Sequence, residues 1–291
     1  MEKDSLIREI RPEDAESAAR FLDERTLIHR WLVAFFLHLQ TSPGLSLGQW
    51  SFRSLVDGGG GKGAEVLRAV AAHSFQTGIT YVSLSPGFNA PELEGLLRED
   101  FLPEKIIGDG PAMQMWEECS PELFALAEDC QTIRILALAP GALREDLLPE
   151  TGFRSASQED VPVLREMEAL FSSDLDEEDP ESDFESLVAG NMVFVLEAAG
   201  RPVAMIRSNL SDGRYIHLGG LFVHPDFRGR RLGARLVAGL CRRIHESGLT
   251  ALIDTAGWNV ATQASCRSVG FSDVGTALSL RFPEDAWSRT G

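Results

Sequence analysis

The stretch 223–234, Val-His-Pro-Asp-Phe-Arg-Gly-Arg-Arg-Leu-Gly-Ala, constrains the fold more than any other part of the chain. It follows an apolar, β-prone run at 215–223 and opens an amphipathic segment at 233–246. The chain must therefore pass from strand to helix through a turn rich in glycine and arginine. Elements alternate legibly around it. Residues 161–171 read as a helix, and the acidic stretch 174–185 leads into a second, short one. Two strands, 192–197 and 203–208, are joined at Gly200, and Ser211-Asp212-Gly213 gives a further turn before 215–223. Gly248 stops the helix 233–246. A strand at 252–255 precedes a helix at 260–269 with Asn259 as its cap, and 278–282 is expected to close the sheet. The order is β-α-α-β-β-β-α-β-α-β, an α/β (α+β) pattern.

The first half echoes part of the second. One offset of 170 relates Gly63 to Gly233, Ala64 to Ala234, Gly78 to Gly248, Thr80 to Thr250, Gly87 to Gly257, Asn89 to Asn259 and Phe101 to Phe271. These are turn and cap positions, so the reading is two copies of one βαβα unit. The plainer reading is that any two such units share turn glycines. Spacing upstream suggests a shorter first copy that lacks a strand. The expected domains are 1–117, a joining segment at 118–150, and 151–287.

Composition narrows the partners. With 44 acidic and 27 basic residues the formal charge is −17, and such a surface repels nucleic acid and anionic lipid alike. The longest apolar run, 31–37, is far short of the roughly twenty residues that span a membrane. The charged stretch 1–11 does not read as a signal peptide. Cys119, Cys130, Cys241 and Cys266 form no CxxC pair and no metal-ligand spacing. The expectation is a reduced, cytoplasmic, metal-free protein that uses neither nucleic acid nor membrane. Oligomeric state is not legible.

A glycine-bearing turn that opens a helix leaves backbone N–H groups directed at one spot, where they and the helix dipole favour an anion. Arg228, Arg230 and Arg231 add positive charge there. A bound diphosphate is one reading, and a surface loop with solvated arginines is the other.

The segment resembles the pyrophosphate loop of the GNAT superfamily of N-acetyltransferases, [QR]-x-x-G-x-[GA], with Arg228 first and Gly233 last. Asn259, Gly270 and Phe271 resemble that superfamily's second motif. The resemblance covers about 152–282, and the first half resembles the degenerate first domain of tandem members. It implies two GNAT-like domains, each a mixed, mostly antiparallel sheet flanked by helices. It implies acetyl-CoA (coenzyme A) as cofactor, with Leu221, Phe222 and Val223 beside the pantetheine arm. The diphosphate would lie on the amides of Arg228, Gly229, Arg230, Arg231, Leu232, Gly233 and Ala234. Asn259 would contact the arm or the thioester. The acceptor would be an amine of a small molecule or protein, attacking the thioester directly.

Two departures stand out. Arg231 occupies a loop position where glycine is usual, and the backbone there is expected to suit a helical residue. The position that often holds an acidic tyrosine is Cys266, which is either a proton donor or a small buried residue. The strand before the loop holds no carboxylate, so His217 is the candidate base, or else a structural histidine. Arg242, Arg243 and Arg267 serve a 3′-phosphate or coat a solvated helix. Gly58 to Gly63, the turn matched to the loop in the first copy, lacks the leading arginine. The acidic residues Asp174, Asp176, Glu177, Glu178, Asp179, Glu181, Asp183 and Glu185 suggest a cationic acceptor, or else a solvated loop. The competing function is a non-catalytic acyl-CoA-binding or scaffold protein.

Overall fold

The computed structural model describes residues 5–25, 27–39, 50–57, 66–86, 89–97, 103–175, 182–198, 200–283 and 286–288. The chain forms two compact units, Met1–Arg134 with Gly275–Gly291, and Ile135–Val274. The expected joining segment 118–150 therefore divides between them.

In the first unit β1 (Ser5–Glu9) is followed by α1 (Ala15–Asp23) and α2 (Arg30–Leu39). Then come β2 (Trp50–Asp57), β3 (Val66–Ser74), β4 (Ile79–Leu84), α3 (Ala90–Leu97) and β5 (Lys105–Asp109). The helices α4 (Gly110–Cys119) and α5 (Pro121–Phe124) lead to β6 (Asp129–Leu138). In the second unit β7 (Phe153–Ser155) is followed by α6 (Val161–Leu175) and α7 (Phe184–Ala189). Then come β8 (Val193–Ala198), β9 (Arg201–Ser211), β10 (Tyr215–Val223), α8 (Leu232–Glu246), β11 (Thr250–Ala256) and α9 (Val260–Val269), and β12 (Ser272–Arg281) ends the series. Apart from the extra α5, both halves run β-α-α-β-β-β-α-β-α-β, so the first copy does not lack a strand.

The strands of the two units pair alike. Strands β1 to β5, and β7 to β11, pair antiparallel with their neighbours except at β4–β5 and β10–β11, which are parallel with a helix between them in sequence. This topology equates α3 with α8 and α4 with α9, and it corrects the register read from the offset of 170. Asn89 caps α3, whereas Asn259 caps α9. The glycine run 58–63 lies outside the described residues. It connects β2 to β3, an antiparallel pair, and no helix follows it.

The last strand of each copy is the other surprise. Residues 278–282 were expected to close the second sheet. Instead β12 pairs antiparallel with β5, from Ala277 opposite Asp109 to Arg281 opposite Lys105, inside the first unit. Leu280, Phe282, Ala286 and Trp287 fill that unit's core beside Trp116 and Ile106, and the Trp287 indole donates to the Pro103 carbonyl at 2.9 Å. Burying two aromatic side chains there is worth several kcal/mol, and alternation along a strand does not reveal which sheet receives it. The 135–138 end of β6 lies next to β11 in the second unit.

The second unit's sheet is covered on both faces. Leu236, Val237, Leu240 and Ile244 of α8 and Cys266 and Val269 of α9 pack on Leu218, Ala251 and Ile253. On the other face Leu164 and Met167 of α6 and Phe184 and Val188 of α7 pack on Val193, Val195, Met205 and Phe222. No described helix is long and apolar enough to cross a membrane.

Candidate functional site

Strand β10 changes parity halfway along. Ile216 and Leu218 face α8, as alternation requires. The pairing with β9 then shifts register between Gly219 and Phe222, and Gly220 takes φ +61°. Beyond this bulge Leu221 and Val223 face α8 while Phe222 faces α6. A bulge leaves ladder groups unpaired and re-aims the side chains around it.

The next turn delivers the chain into α8. A short 3-10 turn at Pro225–Phe227 is followed by Gly229 at φ +75° and Arg231 at φ +57°. Arg231 is the residue that caps α8, and its side chain makes no cap hydrogen bond. Its backbone is left-handed, not helical as expected. Glycine holds that conformation freely, and other residues pay on the order of 1 kcal/mol for it. The first amides of α8 have neither intrahelical acceptors nor a capping side chain.

Those amides border a cavity of about 590 Å³. It is lined by Leu221, Phe222 and Val223 from β10, by Arg228, Gly229, Arg231, Leu232 and Gly233 from the turn, and by Asn259. Of the expected cofactor residues, Arg230 and Ala234 are not among the lining. Arg230 reaches back to the Asp226 carbonyl and lies over the Phe227 ring, and Ala234 is buried in the core. Sequence reasoning missed Phe171, Trp258, Ala261, Thr262 and Ser265, and it read Asp174 only as part of the acidic run. Trp258 carried a signal, as a large apolar residue directly before a helix cap, and it is 52% exposed.

Each lining residue is held locally. Arg228 donates to the Val223 carbonyl at 3.0 Å, pairs with Asp174 of α6 and lies over the Phe222 ring. The Asn259 side chain accepts from the Thr262 amide at 3.1 Å, and Gln263 donates to the carbonyls of Ala256 and Gly257, which fastens the turn before α9. A side-chain carbon built on Gly233 would meet Val223 at 3.4 Å and Ser265 at 3.6 Å, which are ordinary contacts. The fold itself therefore tolerates a small side chain at Gly233, and what glycine adds is close backbone approach from the cavity.

The candidate catalytic side chains lie elsewhere. Cys266 is fully buried in the core between α9 and the sheet, and that burial pushes its thiol up to about 12. A group so placed does not reach the cavity to donate a proton, whereas its neighbour Ser265 lines it. His217 sits on β10 before the bulge, on the face away from α8. Burial pulls its pKa down, but the Asp254 carboxylate and its hydrogen bond outweigh that and hold it raised. Arg267 is paired with Asp273, Arg242 with Glu145 and Glu246, and Arg243 with Ser155; none lines the cavity. In the acidic run Asp183 caps α7 and Glu185 pairs with Arg165; residues 176–181 lie outside the described residues. No metal-binding group of histidines, cysteines or carboxylates occurs among the described residues.

Residues 161–271 match the Acetyltransferase (GNAT) family. An acetyltransferase of the GNAT family from Colwellia psychrerythraea is similar in fold, at 15% identity and TM-score 0.61, with 96% of this chain and 100% of that one covered. So is a GCN5-related N-acetyltransferase from Sphaerobacter thermophilus, at 17% identity and TM-score 0.58, with 95% of each chain covered. A tandem GNAT protein from the clavulanic acid biosynthesis pathway is 15% identical with TM-score 0.59, covering 95% of this chain and 98% of its own. Likeness at such identities speaks for the fold alone. No curated protein matches the chain.

Proposed function

We propose that the cavity at the start of α8, within the residues that match the GNAT family, holds acetyl-CoA and that the protein transfers its acetyl group to an amine. One observation carries this reading: the uncapped N-terminus of α8 opens onto a cavity whose other walls are the bulged end of β10, the end of α6 and the start of α9. A diphosphate would accept from the amides of Arg231, Leu232 and Gly233, where dipole and donors favour an anion. Arg228 and Arg231 supply countercharge. Leu221 to Val223 and Asn259 would hold the pantetheine arm, with the thioester toward the bulge. An amide freed there by the bulge would take the oxyanion of the tetrahedral intermediate. His217 would take the amine's proton. The cysteines are free thiols, which fits a reducing cytoplasm.

The acceptor we favour is cationic. Asp174 stands at the cavity, and the acidic run that follows it in sequence would concentrate cations. Replacing the carboxylates of Asp176, Glu177, Glu178 and Asp179 by amides should then lower kcat/KM for polyamines several-fold at low salt. Unchanged kcat/KM, or a preference of the parent for neutral amines, refutes this part. The reading as a whole is tested by release of free CoA from acetyl-CoA with a panel of amines. Tight binding without release in any case would favour a non-catalytic acyl-CoA-binding module, the alternative that a strand without a carboxylate keeps in view.

A further inference from the structure

Asp254 is not among the residues that line the cavity, yet it touches the candidate base. On β11, Ile253 packs into the core under α8, so Asp254 projects to the opposite face by alternation. His217 projects to the same face, because its neighbours Ile216 and Leu218 go toward α8. The two strands are parallel and adjacent, with His217 opposite Leu252. The imidazole Nε2 is hydrogen-bonded to the Asp254 carboxylate. From the other neighbouring strand the Asn209 amide nitrogen lies 3.0 Å from Nδ1 and donates to it. The neutral ring therefore keeps its proton on Nε2 and its lone pair on Nδ1. His217 is 14% exposed and Asp254 31%, so the carboxylate acts in surroundings drier than bulk water.

The space ahead of this pair is open. Gly219 follows two residues along the same strand, on the same face, opposite Arg207 of β9. A side chain built on Gly219 would meet nothing within 4 Å. The charged groups next along that face are Arg207 and Glu168 of α6, which pair at 3.6 Å, and Ser182 accepts from the same arginine. Tyr215 lies two residues back along β10. Past Gly219 the strand bulges and begins to line the cavity.

We propose that Asp254 is a positioning residue that holds His217 with Nδ1 as the proton-accepting atom, and that the acceptor amine sits over Gly219. This rests on the reading of the cavity as the acetyl-CoA site. In the step, an ammonium displaces the Asn209 amide and gives one proton to Nδ1, while Nε2–H stays with Asp254. The freed nitrogen lone pair forms the C–N bond to the thioester carbonyl. The C–S bond then breaks with its electron pair on sulfur, and the second nitrogen proton passes to the departing thiolate. The imidazolium afterwards returns its proton to water. Asp254 stabilises the imidazolium by the logic of a carboxylate behind a general base.

The test uses the full chain, acetyl-CoA and n-butylamine as a minimal acceptor, with thiol release followed against pH and His217 followed by NMR of 15N-histidine. Asp254→Asn should bind acetyl-CoA as the parent does, lose about a hundredfold in kcat, and move both the rate limb and the His217 titration to lower pH. Asp254→Glu should restore part of each. Gly219→Leu should bind acetyl-CoA normally and lose transfer. The proposal is overturned if Asp254→Asn keeps the parent's kcat and His217 titration, if Gly219→Leu transfers like the parent, or if the parent binds acetyl-CoA but gives butylamine no rate above solution. A parent that does not bind acetyl-CoA fails the cavity reading instead, which calorimetry distinguishes.

Discussion

Two turns in this molecule occupy equivalent places, and they differ in what they leave open. In the first unit β4 ends at Leu84 and α3 begins at Ala90, and in the second β10 ends at Val223 and α8 begins at Leu232. Asn89 caps α3 by accepting from the Glu92 amide, and the Glu92 carboxylate accepts from the Asn89 amide in return. Glu92 also pairs with Arg68 at 3.6 Å. The start of α3 thus carries its own anion, a capping box with a carboxylate inside the first turn. The start of α8 has no such side chain, and its capping residue is an arginine in a left-handed conformation. One topology gives a closed helix start in one copy and an open, positively charged one in the other. What separates them is the chemistry of the capping residues and the length of the turn.

The largest expected effect that sharpens this contrast is one of acid stability. His73 of β3 is 3% exposed, and burial, with Arg53 nearby, lowers its pKa to about 4. A histidine depressed in the fold binds more protons when unfolded, so stability is intact above about 6.5 and is lost as pH falls toward about 4. The loss is about 3 kcal/mol. In the second unit Asp160 is held by hydrogen bonds from Arg154 and Ser157 against the cost of burial, and its carboxyl is lowered to about 2. That contribution is present above the usual carboxylate value and lost as pH falls through about 2, on the order of 2 kcal/mol. Hydrogen exchange between pH 7 and pH 4 should therefore show the first unit loosening well before the second. Simultaneous loosening of both, or no change in the first, would break the contrast.

A smaller effect follows from the caps. Asn89→Ala should cost about 1 kcal/mol of the first unit's stability and should create no acetyl-CoA binding there, because the arginines and the longer turn are still lacking. Denaturant melts and calorimetry on that variant check both halves of the statement. The smallest expected effect is Arg231→Gly, which relieves a left-handed non-glycine residue and should stabilise the second unit by up to about 1 kcal/mol. Its acetyl-CoA affinity should fall in a salt-dependent way with the lost charge. If the variant is less stable than the parent, the left-handed cap is not strained.

Much of the second unit could be read from the chain because its signals are local. Gly200, Gly213 and Gly248 adopt positive φ where turns were expected, Asn259 caps α9, and the arginine turn opens α8 as the motif implies. The first unit was harder because its equivalent turn carries no arginine, and glycines matched at one offset proved to lie at topologically different places. Asn89 and Asn259 are both helix caps, but of non-equivalent helices. The destination of β12 was illegible for another reason, since the partner strand β5 lies far away in sequence. Asp254 was missed because pairing a strand carboxylate with a strand histidine depends on the register of β10 against β11, which no spacing encodes. Phe171 comes to the cavity through tertiary packing alone.

The central claim is that acetyl-CoA binds once per chain, at the open start of α8. Calorimetric titration of the full chain and of Gly233→Val tests it most directly. Gly233 has only ordinary contacts around it, so the variant should keep its fold by circular dichroism. The account predicts a stoichiometry of one for the parent and at least a hundredfold weaker binding for the variant, about 2.7 kcal/mol. Two equivalent sites in the parent, or a folded Gly233→Val that binds acetyl-CoA as the parent does, would contradict it.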